Sequence, residues 1–166
     1  MSLLASLNSI LASAIVLSGC SIAPSESPNK DPSPADRIRI EEAFFRLILR
    51  HNTSGAQGHT AMYCIGIGKL GSLTDPDSRL LMSLADIMPH VVPASYCKFH
   101  GDVTSKTTRK HSLIFNVESI VCNNSTSCTV VGGYLEGNLG AGGGTYIAER
   151  NNQIWTIHST AISWIS

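Results

Sequence analysis

Cys122 and Cys128 flank NNSTS between two β-like runs, a pattern that admits few folds. Asn, Ser and Thr in such a cluster favour chain reversal, because their short side chains bond to nearby backbone. The flanks, LIFNVESIVC and CTVVGGYLE, are rich in β-branched and aromatic residues, the composition of strands. The two cysteines therefore fall on opposing arms of one hairpin, where facing Cβ atoms come within disulfide range. The same pattern runs to the C-terminus. Phe115, Val117 and Val121 alternate on one face of a strand at 113–122, and its partner is 128–136. GNLGAGGG (137–144) reads as a flexible connection. TYIAER (145–150), a turn at Asn151-Asn152 and a last run at 153–165 complete it. Asn suits such a turn because it tolerates positive φ. In the last run Trp155 and Ile157 share one parity, while Ile162 and Trp164 have the other. A bulge or bend near Ser159–Ala161 reconciles them.

Upstream the period changes. In DRIRIEEAFFRLILRH (36–51), Ile40, Phe44, Leu47 and Ile48 recur at helical spacing, widened by Phe45 and Leu49. Asp36 is the expected N-cap, and Arg50 and His51 suit the C-terminal dipole. TAMYCIGI (60–67) reads as a strand. Asp75-Pro76-Asp77 then opens a second helix, with Asp75 as N-cap, the stripe Leu80, Leu81, Leu84, Ile87 and Met88, and Pro89 as its stop. Residues 91–99 are extended, and Pro93 points to an edge. Residues 101–112 read as a polar, basic loop. The order predicts an α+β fold, an antiparallel sheet of about four to six strands packed on an N-terminal helix plus a second short helix. It resembles the cystatin-like and NTF2-like layout in element order. The ending, GYLEGN, TYIAERNNQIWTI and SWIS, also resembles a set of small exported bacterial proteins with no assigned chemistry, over about residues 40–166.

Residues 1–29 carry one charge, Glu26. Ile10–Leu17 is apolar apart from Ser13, too short to cross a bilayer. It leads into Leu17-Ser18-Gly19-Cys20, small residues of the kind a signal peptidase accepts. The segment before the apolar run has no Lys or Arg, so its positive charge is the N-terminal amine alone. Leu-Ser-Gly-Cys in this position resembles the lipobox of bacterial lipoproteins. The resemblance implies a signal peptide at 1–19, removed on export, and a diacylglyceryl group on the sulfur of Cys20, with the new amine acylated. In that family an Asp after the Cys marks inner-membrane retention. Ser21 here implies the outer membrane, with the domain on the periplasmic side of the envelope. SIAPSESPNKDPSPA (21–35) has four prolines and four serines. Such a segment cannot bury enough surface to offset its ordering entropy, so 20–35 reads as a tether and 36–166 as one folded domain.

Lipidation of Cys20, as that resemblance implies, leaves Cys64, Cys97, Cys122 and Cys128. With Cys122 and Cys128 on one hairpin, Cys64 and Cys97 then pair by elimination. A zinc site is not expected: zinc ligands usually come as close pairs such as C-x₂-C, and this chain has C-x₅-C and two cysteines 33 apart.

No other constellation carries specific chemistry. The glycines at 137, 140, 142, 143 and 144 lead into a strand, whereas a nucleotide loop leads into a helix. His100-Gly-Asp102 with Ser95 lacks a nucleophile elbow. Glu41, Glu42, Glu118, Glu136 and Glu149 are the other acids of interest, and Glu118 and Glu136 lie on two arms of one hairpin. Lys106, Arg109 and Lys110, with His111, form a basic cluster suited to a partner or lipid headgroups. Tyr134, Tyr146, Trp155 and Trp164 gather the aromatics in the last three strands, where they form core or line a contact patch. Twelve basic residues balance twelve acidic ones, which gives no electrostatic case for nucleic acid. The sequence therefore predicts a non-enzymatic, lipid-anchored envelope protein with a membrane anchor, a protein partner, no cofactor and no metal. The alternative is a small-ligand-binding or hydrolytic cone with a pocket between the first helix and the sheet.

Overall fold

A computed structural model describes residues 31–51, 59–138 and 140–165, with side chains to residue 160. Cys20, the signal segment and most of the expected tether lie outside the described residues. The elements are α1 (Pro34–Arg50), β1 (Tyr63–Ile67), α2 (Ser78–Ser83), β2 (Val91–Pro93), a single 3₁₀ turn (Ala94–Tyr96), β3 (Cys97–His100), β4 (Asp102–Ser105), β5 (Leu113–Asn124), β6 (Ser127–Gly137), β7 (Gly140–Asn151) and β8 (Ile154–Ile165).

The fold is α+β, with helices packed on an eight-stranded sheet. The sheet is mixed, which corrects the antiparallel expectation: β1 pairs in parallel with both β2 and β5. The physical reason lies in the connection. β1 and β2 are joined through α2, and a helical crossover returns the chain in the same direction. The C-terminal part is an antiparallel meander, β5–β6–β7–β8. The segment expected as a loop at 101–112 instead holds β4, which forms a hairpin with β3 and touches β6 through Asp102 and Gly137. β2, with Pro93, is an edge strand.

Helix starts differ by local capping. Ser33, not Asp36, caps α1: its Oγ accepts from Asp36 N–H at 3.1 Å, and Pro34 occupies the first helical turn. The helix therefore begins inside the segment read as tether. Asp77, not Asp75, caps α2, accepting from Arg79 N–H at 2.8 Å. The Asp75 carboxylate instead accepts from Ser95 N–H. α2 closes at Ser83, before Pro89, as the backbone bonds tighten to three-residue steps: Leu84 N–H to the Leu81 carbonyl, Ala85 N–H to Met82 and Ile87 N–H to Leu84.

The sheet is buried on two faces around β1 and β5. Toward α1 lie Tyr63, Ile65, Leu113, Phe115 and Val117, packed with Ile40, Phe44, Phe45 and Leu49. On the other face Cys64, Cys97, Val103 and Ile114 form a smaller core beneath the β3–β4 hairpin. The β5 alternation breaks at Glu118, where the register slips between Val117 and Ser119. Ile120 and Cys122 therefore take the buried face, and Val121, expected beside Phe115 and Val117, is 38% exposed. An extra residue in one strand reverses the parity of all that follows.

The glycine run is strand, not a flexible connection. Gly142, Gly143 and Gly144 pair with Tyr134, Gly133 and Gly132. A Cβ on Gly142 would sit 2.8 Å from the Tyr134 ring, and one on Gly132 would sit 2.6 Å from Phe44 Cζ. The turn between β7 and β8 falls one residue later than expected, with positive φ at Asn152 and Gln153. In β8, Tyr146 pairs with Ser159 and Thr145 with Ala161, so Thr160 is the extra residue at the predicted bend; a second slip leaves Ser163 between Ile162, opposite Gly144, and Trp164, opposite Gly143, so the one bend does not bring both into the register of Trp155 and Ile157.

Candidate functional site

Both disulfides join the cysteines that the sequence paired. Cys122 and Cys128 face each other across the β5–β6 hairpin. Cys64 on β1 is bridged to Cys97 at the start of β3, which clips the β3–β4 hairpin onto the outer face of the sheet. This bridge closes a loop of 33 residues against 6 for the hairpin bridge, and a crosslink constrains the unfolded chain more as its loop lengthens.

Three of the four aromatics pack on the core, Trp155 buried and Tyr134 and Tyr146 partly buried against it. Trp155 is 6% exposed. Tyr146 meets Phe44 edge-on with ring centroids 5.0 Å apart, and its burial raises the hydroxyl pKa. Tyr134 packs against Phe115. These rings fill the space between α1 and the meander, so they do not form one open contact patch. The Trp164 backbone pairs with Gly143, and its side chain lies outside the described residues.

Trp155 also anchors the start of α1. Its Nε1–H donates to Asp36 Oδ1 at 3.2 Å, while Arg150 stands 5.4 Å over its ring and 3.5 Å from the same carboxylate. The Trp155 hydrogen bond, then Ser33 and Arg150, hold the Asp36 pKa below its ordinary value against a burial effect that raises it. Arg150 N–H donates to the Thr126 carbonyl. The start of the folded domain therefore sits beside the β5–β6 and β7–β8 turns.

The basic cluster is a built loop. Ser105, 1% exposed, is its post: Ser105 N–H donates to the Lys110 carbonyl, its carbonyl accepts from Arg109 N–H, and its Oγ accepts from Thr108 N–H. Arg109 takes φ 57°, which an L residue adopts only when its surroundings hold it there. Lys106, Arg109 and Lys110 are exposed on this loop. Lys106 N–H donates to the Tyr96 carbonyl, which brings in the 3₁₀ turn and β3. Lys98, opposite Thr104, adds a fourth exposed cation; Tyr96 is 53% and Phe99 47% exposed. None of the four cations makes an ion pair with a described carboxylate, whereas Arg37, Arg46, Lys69, Arg79 and Arg150 all do. The nearby acids are Asp75, bonded to Ser95, and Asp102, at the far end of the hairpin. Sequence reasoning missed Lys98, Tyr96 and Phe99, since only the β3–β4 pairing places them beside the loop.

The remaining groups stay apart. Glu118 pairs with Lys69, and Glu136 lies four residues along β6 from Gly132, the partner of Val117, roughly 13 Å away at strand rise. No hydrogen bond or ion pair among the described residues joins Ser95, His100 and Asp102. Glu42 pairs with Arg46, which also bridges to Asp86 and the Ser83 carbonyl on the α2 side. Glu41 is different: it is 4% exposed within the apolar face of α1. Burial pushes its carboxyl up to about 7, with Asp77 adding to the rise and Arg37 opposing it. No group of three or more His, Cys, Asp or Glu among the described residues is placed to hold a metal ion. Among them, no helix is long and apolar enough to cross a membrane. No protein-family model, curated protein or solved structure matches this chain.

Proposed function

We propose that this chain is a lipid-anchored protein of the bacterial envelope whose domain binds another protein and performs no catalysis. The observation that carries the reading is the pair of disulfides in a domain that follows a lipobox-like segment and a Pro/Ser-rich stretch. Disulfides persist in oxidising compartments outside the cytoplasm. An acylated Cys20 anchors firmly because two or more chains hold far better than one. The element order, one long helix against an antiparallel meander, fits the cystatin-like or NTF2-like layout. In this domain the helix–sheet interface is packed with Phe44, Phe45, Tyr63 and Phe115, all buried, which favours a binding surface over an internal ligand pocket. An immunity protein or inhibitor against an envelope-acting enzyme is one concrete form, and an assembly factor is another.

Affinity capture tests this. The full chain is immobilised after oxidative expression and exposed to envelope extract and secretions of its host. A stoichiometric protein partner is the expected result. Capture of no protein, together with saturable small-molecule binding, contradicts the reading.

A further inference from the structure

We propose that the β3–β4 hairpin and the 106–110 loop form a docking surface for an acidic protein, at the end of the domain opposite its anchor. The inference deepens the protein-binding reading and rests on it.

Three observations converge. The first is charge segregation in a chain of zero net charge. Lys98, Lys106, Arg109 and Lys110 are exposed and unpaired with described carboxylates, while most other described cations are neutralised locally. Cations left without internal partners keep their full attraction for an opposite charge, and such patches select partners and speed encounter.

The second observation is construction. The loop is held by three hydrogen bonds to buried Ser105, and Cys64–Cys97 fixes the adjoining strand. A surface already ordered loses less freedom on binding. Tyr96, half-exposed and hydrogen-bonded through its carbonyl to Lys106, supplies an aromatic anchor amid the charges. Aromatic side chains ringed by polar groups are typical of protein contacts.

The third is position. The loop leads into Leu113 at the start of β5. The domain's first helix begins beside the turn at the other end of β5, through Asp36, Trp155, Arg150 and Thr126. β5 has 12 residues, so the two ends stand about 35 Å apart. A domain held by residues before Ser33 thus carries its basic end a strand's length from the place where the tether enters, and the exposed Tyr96 and Phe99 beside the charges favour an acidic protein over a layer of headgroups.

The test uses the full chain carrying Cys20→Ser, so that acylation does not contribute. Its binding to a soluble glutamate–tyrosine copolymer is measured by fluorescence anisotropy. A triple variant, Lys106→Glu, Arg109→Glu and Lys110→Glu, is compared with a control of equal charge change, Arg39→Glu, Arg50→Glu and Lys69→Glu. Near-ultraviolet circular dichroism checks that each is folded. If the triple variant fails to fold, Lys98→Gln with Lys106→Gln replaces it. The expected result is that the wild-type loop binds the copolymer, that the loop variant loses about tenfold or more, and that the control loses less than about threefold. Raising salt to about 300 mM weakens wild-type binding. Equal losses in both variants, no copolymer binding, or stronger binding to vesicles of about one-third phosphatidylglycerol would overturn the proposal. The two levels separate cleanly. A captured partner that still binds the loop variant sinks this surface and spares the protein-binding reading. Selective copolymer binding with no captured partner does the reverse.

Discussion

Glu41 occupies the middle of the buried stripe of α1, between Ile40 and Phe44, where an apolar side chain would pack. Its ordinary pKa is 4.5 and the fold raises it to about 7. The folded state therefore holds a proton that the unfolded chain has released across that window. Stability is highest, for this group, at or below pH 4.5 and falls as pH rises toward 7, then stays level. Glu41→Gln removes the charge, so at pH 8 it stabilises the domain by on the order of 2 kcal/mol and flattens the slope between pH 4.5 and 7. Urea midpoints of both proteins across that range measure it; an unchanged slope contradicts it. Gly132 makes the opposite kind of prediction. A Cβ there collides with the Asn116 carbonyl and comes within 2.6 Å of Phe44. Gly132→Ala therefore forces the strand or the helix to move, and thermal unfolding shows a loss of about 2 kcal/mol or more. Gly71→Ala is the contrast: no atom lies within 4 Å, and only its φ of 95° opposes the change.

Elements differ in how far the chain announces them. α1 and the β5–β6 hairpin are plain in the sequence, because Ile40–Phe44–Leu49 and Cys122-NNSTS-Cys128 are local patterns. The bend in β8 is legible too, since Trp155 and Ile162 disagree in parity. What escaped is non-local. The glycines of β7 read as a breaker because the rings that need their bareness, Tyr134 and Phe44, lie on other elements. The parallel β1–β5 pairing joins strands with α2, β2, β3 and β4 between them, so no local pattern marks it, and the Glu118 bulge shows only when β6 is laid beside β5. The two disulfides act on elements of different reach. Cys64–Cys97 spans 33 residues and Cys122–Cys128 spans 6. In the chain-entropy model the first contributes about 4 kcal/mol and the second about 2 kcal/mol. Paired Cys→Ala variants at each bridge, compared by denaturant unfolding, are expected in that order. Equal losses would mean that the short hairpin bridge carries native contacts beyond its closure.

At the scale of the molecule the two ends of the domain differ in what they hold. One end holds the start of α1, pinned by Asp36, Trp155 and Arg150. The other holds an ordered basic loop beside Tyr96 and Lys98. The sequence shows the three cations of the loop together. It does not show that a disulfide brings a fourth beside them, nor that they lie a strand's length from the start of α1. Both facts come from pairing β3 with β4 and β5 with β6. The candidate site was thus half legible: its charges are local in sequence, and its aromatic flank and orientation are not.

Export, anchoring and oxidation of one chain are read together by intact-protein mass spectrometry of the protein from host membranes. The expected mass is that of residues 20–166 with a diacylglyceryl group on Cys20 and its acylated amine, lighter by the hydrogens of both disulfides. A soluble chain at its full 17.7 kDa, unlipidated and with free thiols, would contradict it.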